Sequence, residues 1–293
     1  VNLMCPARIL LWPGDVAEAV VDERIAQVYA GPFEAAGGAR LAERLGVRLT
    51  VVPELVRRPD EELQAIADLH RGETVVVLGV DLGLHLPAIV EHTGDGWTRV
   101  PTNNEVTLAT YEQAAEKFRE SIPAEPNTLL IDLLDGALSP GARVLELGSG
   151  TGRDAIELER RGLVVRRTDA AAAFVEMMRA DGYDAERLNA ITDDFGGPYD
   201  AVFADALFMH FDRAQLTGVL RKAARAAPVL AFTTREGKGE EWSNRNLDLP
   251  RHFVLWQEEP LRELLTATGW TVEQLSRGET RNGWWFYVLA RRS

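Results

Sequence analysis

Cysteine is almost missing from the chain: Cys5 is the single one in 293 residues. That excludes a disulfide framework and a thiolate metal cluster. Histidine is scarce too, with five scattered as His70, His85, His92, His210 and His252. Asp81 with His85, or His85 with His92, can share a helix face, but no third ligand follows at a metal-binding spacing, so no metal is expected. Basic residues are short, 32 Lys and Arg against 45 Asp and Glu, for a net charge of −13. The deficit is shared: residues 1–106 hold 9 basic and 16 acidic side chains, the remainder 23 and 29. Neither part offers the basic face that a phosphate backbone requires, so no nucleic acid partner is expected. Long apolar runs are also lacking. The most apolar stretch, Thr74 to Val90, contains Asp81, His85 and Pro87 and cannot span a membrane. The N-terminus has no basic segment leading into an apolar run and a small-residue cleavage site, so a cytoplasmic, reduced setting is the simplest expectation.

What is present is the composition of a globular protein, 46% hydrophobic and 26% charged, in a chain long enough for two domains. Two strand–helix series follow one another. In the first, Arg8–Trp12 is an apolar run closed by Pro13-Gly14, and a helical pattern covers Val16–Arg24. Ile25–Tyr29 reads as a strand, Ala35–Leu45 as a helix stopped by Gly46, and Arg48–Val52 as a strand. Glu61–Leu69 is a predicted helix, Thr74–Leu78 a buried strand and Leu84–His92 another helix. This alternation predicts a parallel sheet covered by helices, a small three-layer α/β domain. Val106–Leu108 reads as a further strand of that domain, a helix begins at Thr110, and the boundary falls near Ala109. The expected domains are therefore residues 1–109 and 110–293. The second series runs through helix Thr128–Ala137, the turn Ser139-Pro140-Gly141 and strand Arg143–Leu147.

That strand leads straight into Gly148-Ser149-Gly150-Thr151-Gly152, and Arg153 onward reads as a helix. Glycine is needed where the backbone takes positive φ or a ligand comes too close for a Cβ. The next strand, Leu163–Thr168, ends at Asp169, where a carboxylate can hold a ribose diol or, alternatively, cap the following helix. Two ligand classes fit: a dinucleotide, or an adenosine-containing ligand without a pyrophosphate. The spacing lacks the G-x-G-x-x-G arrangement that sets a pyrophosphate on a helix N-terminus.

Glu146-x-Gly148-x-Gly150-x-Gly152 at the end of a first strand resembles motif I of class I S-adenosylmethionine-dependent methyltransferases. The resemblance covers about Tyr111 to Arg292. Asp169 matches the family's ribose-binding acid, and Asn189-Ala190 sits where the family reads the adenine edge, though aspartate is more usual there. Tyr199–His210 looks like the fourth strand and the loop lining the transfer site, Pro228–Thr234 like the fifth strand. Trp270–Ser276 and Trp284–Ala290, joined through Gly278 and Asn282-Gly283, look like the terminal antiparallel hairpin. The resemblance thus implies a Rossmann-like seven-stranded domain with S-adenosylmethionine as cofactor. It implies cofactor contacts from Glu146, Gly148, Ser149, Gly150, Gly152, Asp169, Ala170, Asn189, Ala190, Ala204 and Tyr111.

Methyl transfer needs an aligned acceptor, exclusion of water and a deprotonated nucleophile. His210, after the fourth strand, is the expected general base; its alternative is to pack against the helix from Arg213. The insert Glu236–Trp256 is expected to roof the acceptor pocket, with Trp242, His252 and Trp256 packing the substrate and Arg251 meeting an anion. Its alternative is a loop folded over its own aromatics, and the helix Tyr111–Arg119 is either a lid or a linker.

The first domain resembles the histidine phosphatase (phosphoglycerate mutase-like) family. Ala7–Asp15 looks like its I-L-L-V-R-H-G-E strand, Val28–Ala36 like its Y-S-S-P-L-x-R-A, and Gly72–Val80 like its G-E-T-V-L-V-V-S-H. The departures fall on the chemistry: Trp12-Pro13 replaces the nucleophilic histidine and its arginine neighbour, Ala35 the second arginine, and Val80 the second histidine. With no imidazole nucleophile and no cationic pocket, that reaction is excluded. What remains is a scaffold, available as an oligomer surface, a pocket wall or a carrier contact. The expectation is a methyltransferase acting by in-line transfer on O or N of a small molecule, in specialised metabolism of the antibiotic type. The alternatives are a peptide, protein or carrier-bound acceptor, or a non-catalytic S-adenosylmethionine-binding sensor.

Overall fold

The computed structural model describes residues 5–12, 24–80, 82, 84, 88–93, 96–281 and 283–293. The expected turn Pro13-Gly14, most of the expected helix from Val16, and Asp81, His85, Pro87 and Asn282 lie outside them. The chain divides into two compact units, Val1–Thr102 and Asn103–Ser293.

The first unit contains β1 (Arg8–Trp12), β2 (Ile25–Ala30), α1 (Ala35–Leu45), β3 (Arg48–Val51), α2 (Pro59–Leu69), β4 (Thr74–Leu78), β5 (Ala88–Thr93) and β6 (Gly96–Val100). The sheet order is β3-β2-β4-β1-β5-β6. β1 through β4 are parallel to one another, β5 runs antiparallel to β1, and β6 antiparallel to β5. Leu41 and Ala42 of α1 pack on Leu10, Val28 and Val76, while Leu63 and Ile66 of α2 pack on Ile9, Leu11, Val75 and Val77. Helices therefore cover both faces, which is why β4 reads as an unbroken apolar run. Gly46, at φ 68, ends α1 in the left-handed conformation that glycine adopts without strain. The helix expected over Leu84–His92 is corrected: Ala88–Thr93 is a strand, its burial alternating along Ala88, Ile89 and Val90. A short apolar run of this length suits either element by pattern, and pairing with β1 decides it.

The second unit opens with α3 (Asn103–Gln113), α4 (Ala115–Ser121) and α5 (Thr128–Asp135). There follow β7 (Arg143–Leu147), α6 (Arg153–Arg160), β8 (Val164–Asp169), α7 (Ala172–Ala180), β9 (Glu186–Arg187) and β10 (Ala201–Ala204). The chain continues through α8 (Arg213–Ala226), β11 (Val229–Arg235), β12 (Gly239–Ser243), β13 (Arg251–Leu255), α9 (Glu258–Ala267), β14 (Trp270–Thr280) and β15 (Gly283–Arg292). Val106–Leu108 is helical rather than a strand, and α3 runs through Ala109, so the units part at Thr102, seven residues earlier than expected. Seven strands form a sheet in the order β14-β15-β11-β10-β7-β8-β9, parallel except for β15 and β14. The order reverses between β7 and β10. In open α/β sheets a ligand crevice lies beyond the carboxyl ends at such a point. Leu216, Val219 and Leu220 of α8 and Leu261 and Leu265 of α9 fill one face of the sheet. Leu130, Ile131 and Leu134 of α5 and Leu158 of α6 fill the other. The insert after β11 is an antiparallel hairpin of β12 and β13. Among the described residues, no helix is long and apolar enough to cross a membrane, and no group of three His, Cys, Asp or Glu is set to hold a metal.

Candidate active site

A cavity of about 860 Å³ opens at the switch point. Volumes of about 300–1,000 Å³ are usual for small-molecule sites, so this one has room for a cofactor with an acceptor beside it.

Its floor is the loop between β7 and α6. Gly148, Gly150 and Gly152 all take positive φ, at 70, 55 and 78 degrees. Ser149 ties the loop down: its hydroxyl donates to Glu146 Oε2 at 2.5 Å and accepts from the Thr168 N–H at 3.1 Å. Gly150 is the close-approach position, since a Cβ there would meet only the Phe118 ring at 3.8 Å and would stand in the cavity. Gly152 serves packing instead; a Cβ would come within 3.2 Å of Met178, and the residue does not line the cavity. Glu146 and Ala204 do not line it either. Both are buried in their strands, Glu146 holding Ser149, while Asp205 and Ala206, just past β10, face the cavity in place of Ala204.

Asp169 lines the cavity at the end of β8. Its Oδ2 accepts from the Gly150 N–H and its Oδ1 from the Ala171 N–H, both at 2.9 Å. A carboxylate has about four lone-pair sites, so two remain for a diol. Burial lifts this carboxyl to about 6, against the pull of the Ala171, Gly150 and Ala170 N–H groups. Ala170, Asn189 and Ala190 line the same region, and Asn189 Oδ1 is spent on the Ile191 N–H at 2.9 Å.

A second acidic group, which the sequence reading did not single out, lies beside the loop. Asp205 Oδ1 accepts from Asn127 Nδ2 at 2.8 Å and the Thr233 hydroxyl at 2.6 Å, and its Oδ2 meets Arg153 at 3.3 Å. Asp154 accepts the Asn127 N–H at 2.8 Å. Burial, then repulsion from Asp205, pushes the Asp154 carboxyl up. Burial, then Asp154, pushes Glu146 to about 8. Only a carboxylate after a strand and one in the first turn of a helix marked this cluster in the sequence; side-chain convergence completes it. The loop side of the cavity is thus rich in carboxylate, with Arg153 as its cation. These features fit a ligand with a ribose diol, positive charge and one carboxylate.

The rest of the lining is cationic and aromatic. Tyr111 of α3 donates its hydroxyl to His210 Nε2 at 3.0 Å, and His210 Nδ1–H donates to the His252 carbonyl at 2.8 Å. A carbonyl can only accept, so this pairing fixes the neutral tautomer. Burial, the largest cause, holds the His210 imidazole down at about 4 against the upward pull of its bond to the His252 carbonyl, with the charges of Arg251, His252 and Arg235 adding to the fall. Arg251 lies over the Tyr111 and Phe253 rings, at 5.6 and 5.4 Å from their centroids. Arg235, Arg245, Trp242, Trp285 and Tyr287 complete this wall.

Two residues expected to pack the acceptor do not line the cavity. Trp256 is 1% exposed, sits in the core around α8 and α9, and carries the Arg213 guanidinium 4.2 Å over its ring. His252 is buried behind the hairpin with Nε2 at 3.0 Å from Glu240, and it reaches the site through its carbonyl. Side chains alternate along a strand, so Arg251 and Phe253 face the cavity and His252 between them turns away.

A family profile described as "Methyltransferase domain" matches residues 115–275. No curated protein matches the chain. Among solved structures, the Burkholderia thailandensis 1,6-didemethyltoxoflavin-N1-methyltransferase, bound to 1,6-didemethyltoxoflavin and S-adenosylhomocysteine, gives a TM-score of 0.54 at 16% identity, over 72% of this chain and 97% of that one. The CcbJ methyltransferase from Streptomyces caelestis gives 0.52 at 16% identity, over 63% of this chain and 98% of that one. The [4+2]-cyclase SpnF gives 0.51 at 16% identity, over 66% and 97%. At these identities the likeness is one of fold.

Proposed function

The chain belongs to the methyltransferase-domain family, and we propose that it transfers a methyl group from S-adenosylmethionine to an oxygen or nitrogen of a small molecule. The observation that carries this reading is one cavity lined by the glycine loop and Asp169 together with Tyr111, Arg251 and Trp242. When bound, S-adenosylmethionine supplies a methyl group already activated by its sulfonium. In this reading Asp169 takes the ribose diol and Asn189 with Ala190 the base. Asp154 and Asp205 take the positive charge, and Arg153 the carboxylate. Tyr111, Phe118 and Leu207 wall off water, and the rate comes from alignment rather than from a covalent intermediate.

His210 takes a positioning part here. Both its ring nitrogens are engaged, and an imidazole held at about 4 is a weak base at neutral pH. It orients the Tyr111 hydroxyl, which is what touches the acceptor.

For the first unit we propose a non-catalytic, histidine-phosphatase-like scaffold. Trp12 ends β1, Ala35 opens α1 and Val80 follows β4, so the positions that chemistry would need carry no imidazole or guanidinium. A homo-oligomer contact and a cytoplasmic setting are parts of the same reading, as is a place in specialised metabolism. The acidic balance of 32 against 45 argues against a nucleic acid acceptor.

The test uses S-adenosylmethionine labelled in the methyl group, incubated with the protein and an extract split into small-molecule and macromolecular fractions. Label is expected in the small-molecule fraction. Asp169→Ala should weaken S-adenosylhomocysteine binding by at least ~1–2 kcal/mol, the scale of hydrogen bonds to a charged group, and abolish most labelling. Label confined to macromolecules would replace this reading with a peptide, protein or carrier acceptor. Unchanged affinity in Asp169→Ala would remove the ribose assignment.

A further inference from the structure

Arg251 is a buried cation without a counter-ion. It is 8% exposed, and both of its hydrogen bonds go to uncharged oxygens: Nη1 to Tyr111 Oη at 3.3 Å and Nη2 to the Arg245 carbonyl. Its Nε is buried with no acceptor. Among the described residues, none of the carboxylates forms an ion pair with it. The acidic side chains nearest in the hairpin are committed elsewhere, Glu241 to Arg235 at 2.6 Å and Glu240 to His252 at 3.0 Å. A buried charge is costly unless an opposite charge answers it, and a guanidinium between aromatic faces suits a flat anion. Arg251 lines the cavity, so the ligand is what can supply that charge.

We propose that the acceptor binds as an organic anion, a conjugated carboxylate or phenolate-type oxygen held by the Arg251 guanidinium beside the Tyr111 ring, and that this ionised oxygen receives the methyl group. The proposal rests on the methyltransferase reading above and names its substrate class. A lone pair of the acceptor oxygen forms the new O–C bond while the sulfonium C–S bond breaks, its electron pair staying on sulfur. The acceptor loses its negative charge, the donor its positive one, and no proton remains to be removed. That balance fits a wall on which the imidazole is already engaged at both nitrogens. It also divides the lining by charge: Asp154, Asp169 and Asp205 suit the cationic cofactor, and Arg251 the anionic acceptor.

The experiment begins with binding. Full-length protein loaded with S-adenosylhomocysteine is mixed at pH 8 with extract small molecules that an anion exchanger retains and, separately, with those it passes. Species held back by ultrafiltration are identified by mass. A bound species is expected from the retained fraction only, at least ~10-fold weaker in Arg251→Gln and partly restored in Arg251→Lys. S-adenosylhomocysteine affinity and melting temperature, followed in each variant, report that the cofactor side and the fold persist. With labelled S-adenosylmethionine, the same species should take up label and elute earlier from the exchanger, having lost one negative charge. Binding or labelling from the passed fraction, a product as strongly retained as its acceptor, or Arg251→Gln binding like wild type would each overturn the proposal. Label in neither fraction would overturn both this proposal and the small-molecule reading, whereas label in the passed fraction overturns this one alone.

Discussion

Tyr111 and His210 meet at 3.0 Å, phenol to imidazole, across 99 residues of chain. That bond fastens a helix that precedes the sheet to the turn that follows β10. The hairpin joins through the His252 carbonyl on His210 and through Arg251 over the Tyr111 ring. Three separate stretches thus close one wall of the cavity, and the imidazole is their common point.

His210 must stay neutral in that position, which makes it a term in acid stability. Its folded-state value, about 4, lies below the ordinary 6.5. Between those values the unfolded chain binds a proton that the folded chain does not, so the contribution is complete above pH 6.5 and lost as pH falls to about 4. The full amount is about 3 kcal/mol. Gln can accept from the Tyr111 hydroxyl and donate to the His252 carbonyl without titrating. In urea unfolding, the stability lost between pH 7 and pH 5 should therefore be smaller in His210→Gln than in wild type; equal losses would show that the imidazole is not held neutral.

Glu146 works with the opposite sign. Its carboxyl stands at about 8 when folded, above the ordinary 4.5, so the protonated form favours folding below pH 4.5 and that stability is lost as pH rises toward 8. Asp154 lines the cavity and Glu146 lies buried behind it, so a cationic ligand there favours the ionised forms of both carboxyls and releases protons on binding. The thermal shift given by S-adenosylmethionine should then grow from pH 6 to pH 8, while the unliganded melting temperature falls. Glu146→Gln should flatten both trends. A thermal shift independent of pH would mean that these carboxyls do not respond to the ligand's charge.

The glycine loop and the place of Asp169 were legible because backbone needs dictate residue type, positive φ at Gly148 and Gly150 and a carboxylate at a strand end, whereas the terminal hairpin came from the family resemblance. The start of α3 was not legible. Its buried positions include Thr107 and Thr110, which dock by hydrogen bonds rather than by an apolar stripe: the Thr107 hydroxyl accepts the His252 N–H at 2.9 Å, and that of Thr110 donates to the Pro250 carbonyl at 2.6 Å. Polar docking leaves no periodicity to read, so Val106–Leu108 passed for a strand. The acidic cluster of Asp154 and Asp205 was hidden for another reason: Asn127, Arg153 and Thr233 come from separate elements, and only packing brings them together.

Those contacts set the minimal second unit. A chain starting at Asn103 keeps α3, with Asn104 on the His210 carbonyl at 3.2 Å and Tyr111 on the imidazole. It should fold and bind S-adenosylhomocysteine in calorimetry within a few-fold of the full chain, because the unit has its own sheet and core. A chain starting at Ala114 loses that wall and should bind the cofactor but no acceptor. An insoluble product from Asn103 would show that the two units share one folding core.

The two tryptophans of the hairpin region separate packing from recognition. Trp256 is 1% exposed in the core, whereas Trp242 is 49% exposed at the cavity, its ring tilted against that of His252 at 5.0 Å. Trp256→Ala opens a void among α8 and α9 and should cost about 3–5 kcal/mol of stability. Trp242→Ala removes a half-exposed ring and should change stability by less than about 0.5 kcal/mol. Its effect should appear instead as a higher KM for the acceptor, with kcat little changed, because the ring contributes equally to ground-state and transition-state binding. Urea unfolding and steady-state kinetics on both variants decide between the two roles. A Trp242→Ala protein as destabilised as Trp256→Ala would make the hairpin aromatics a single small core and leave Arg251 and Tyr111 as the acceptor contacts.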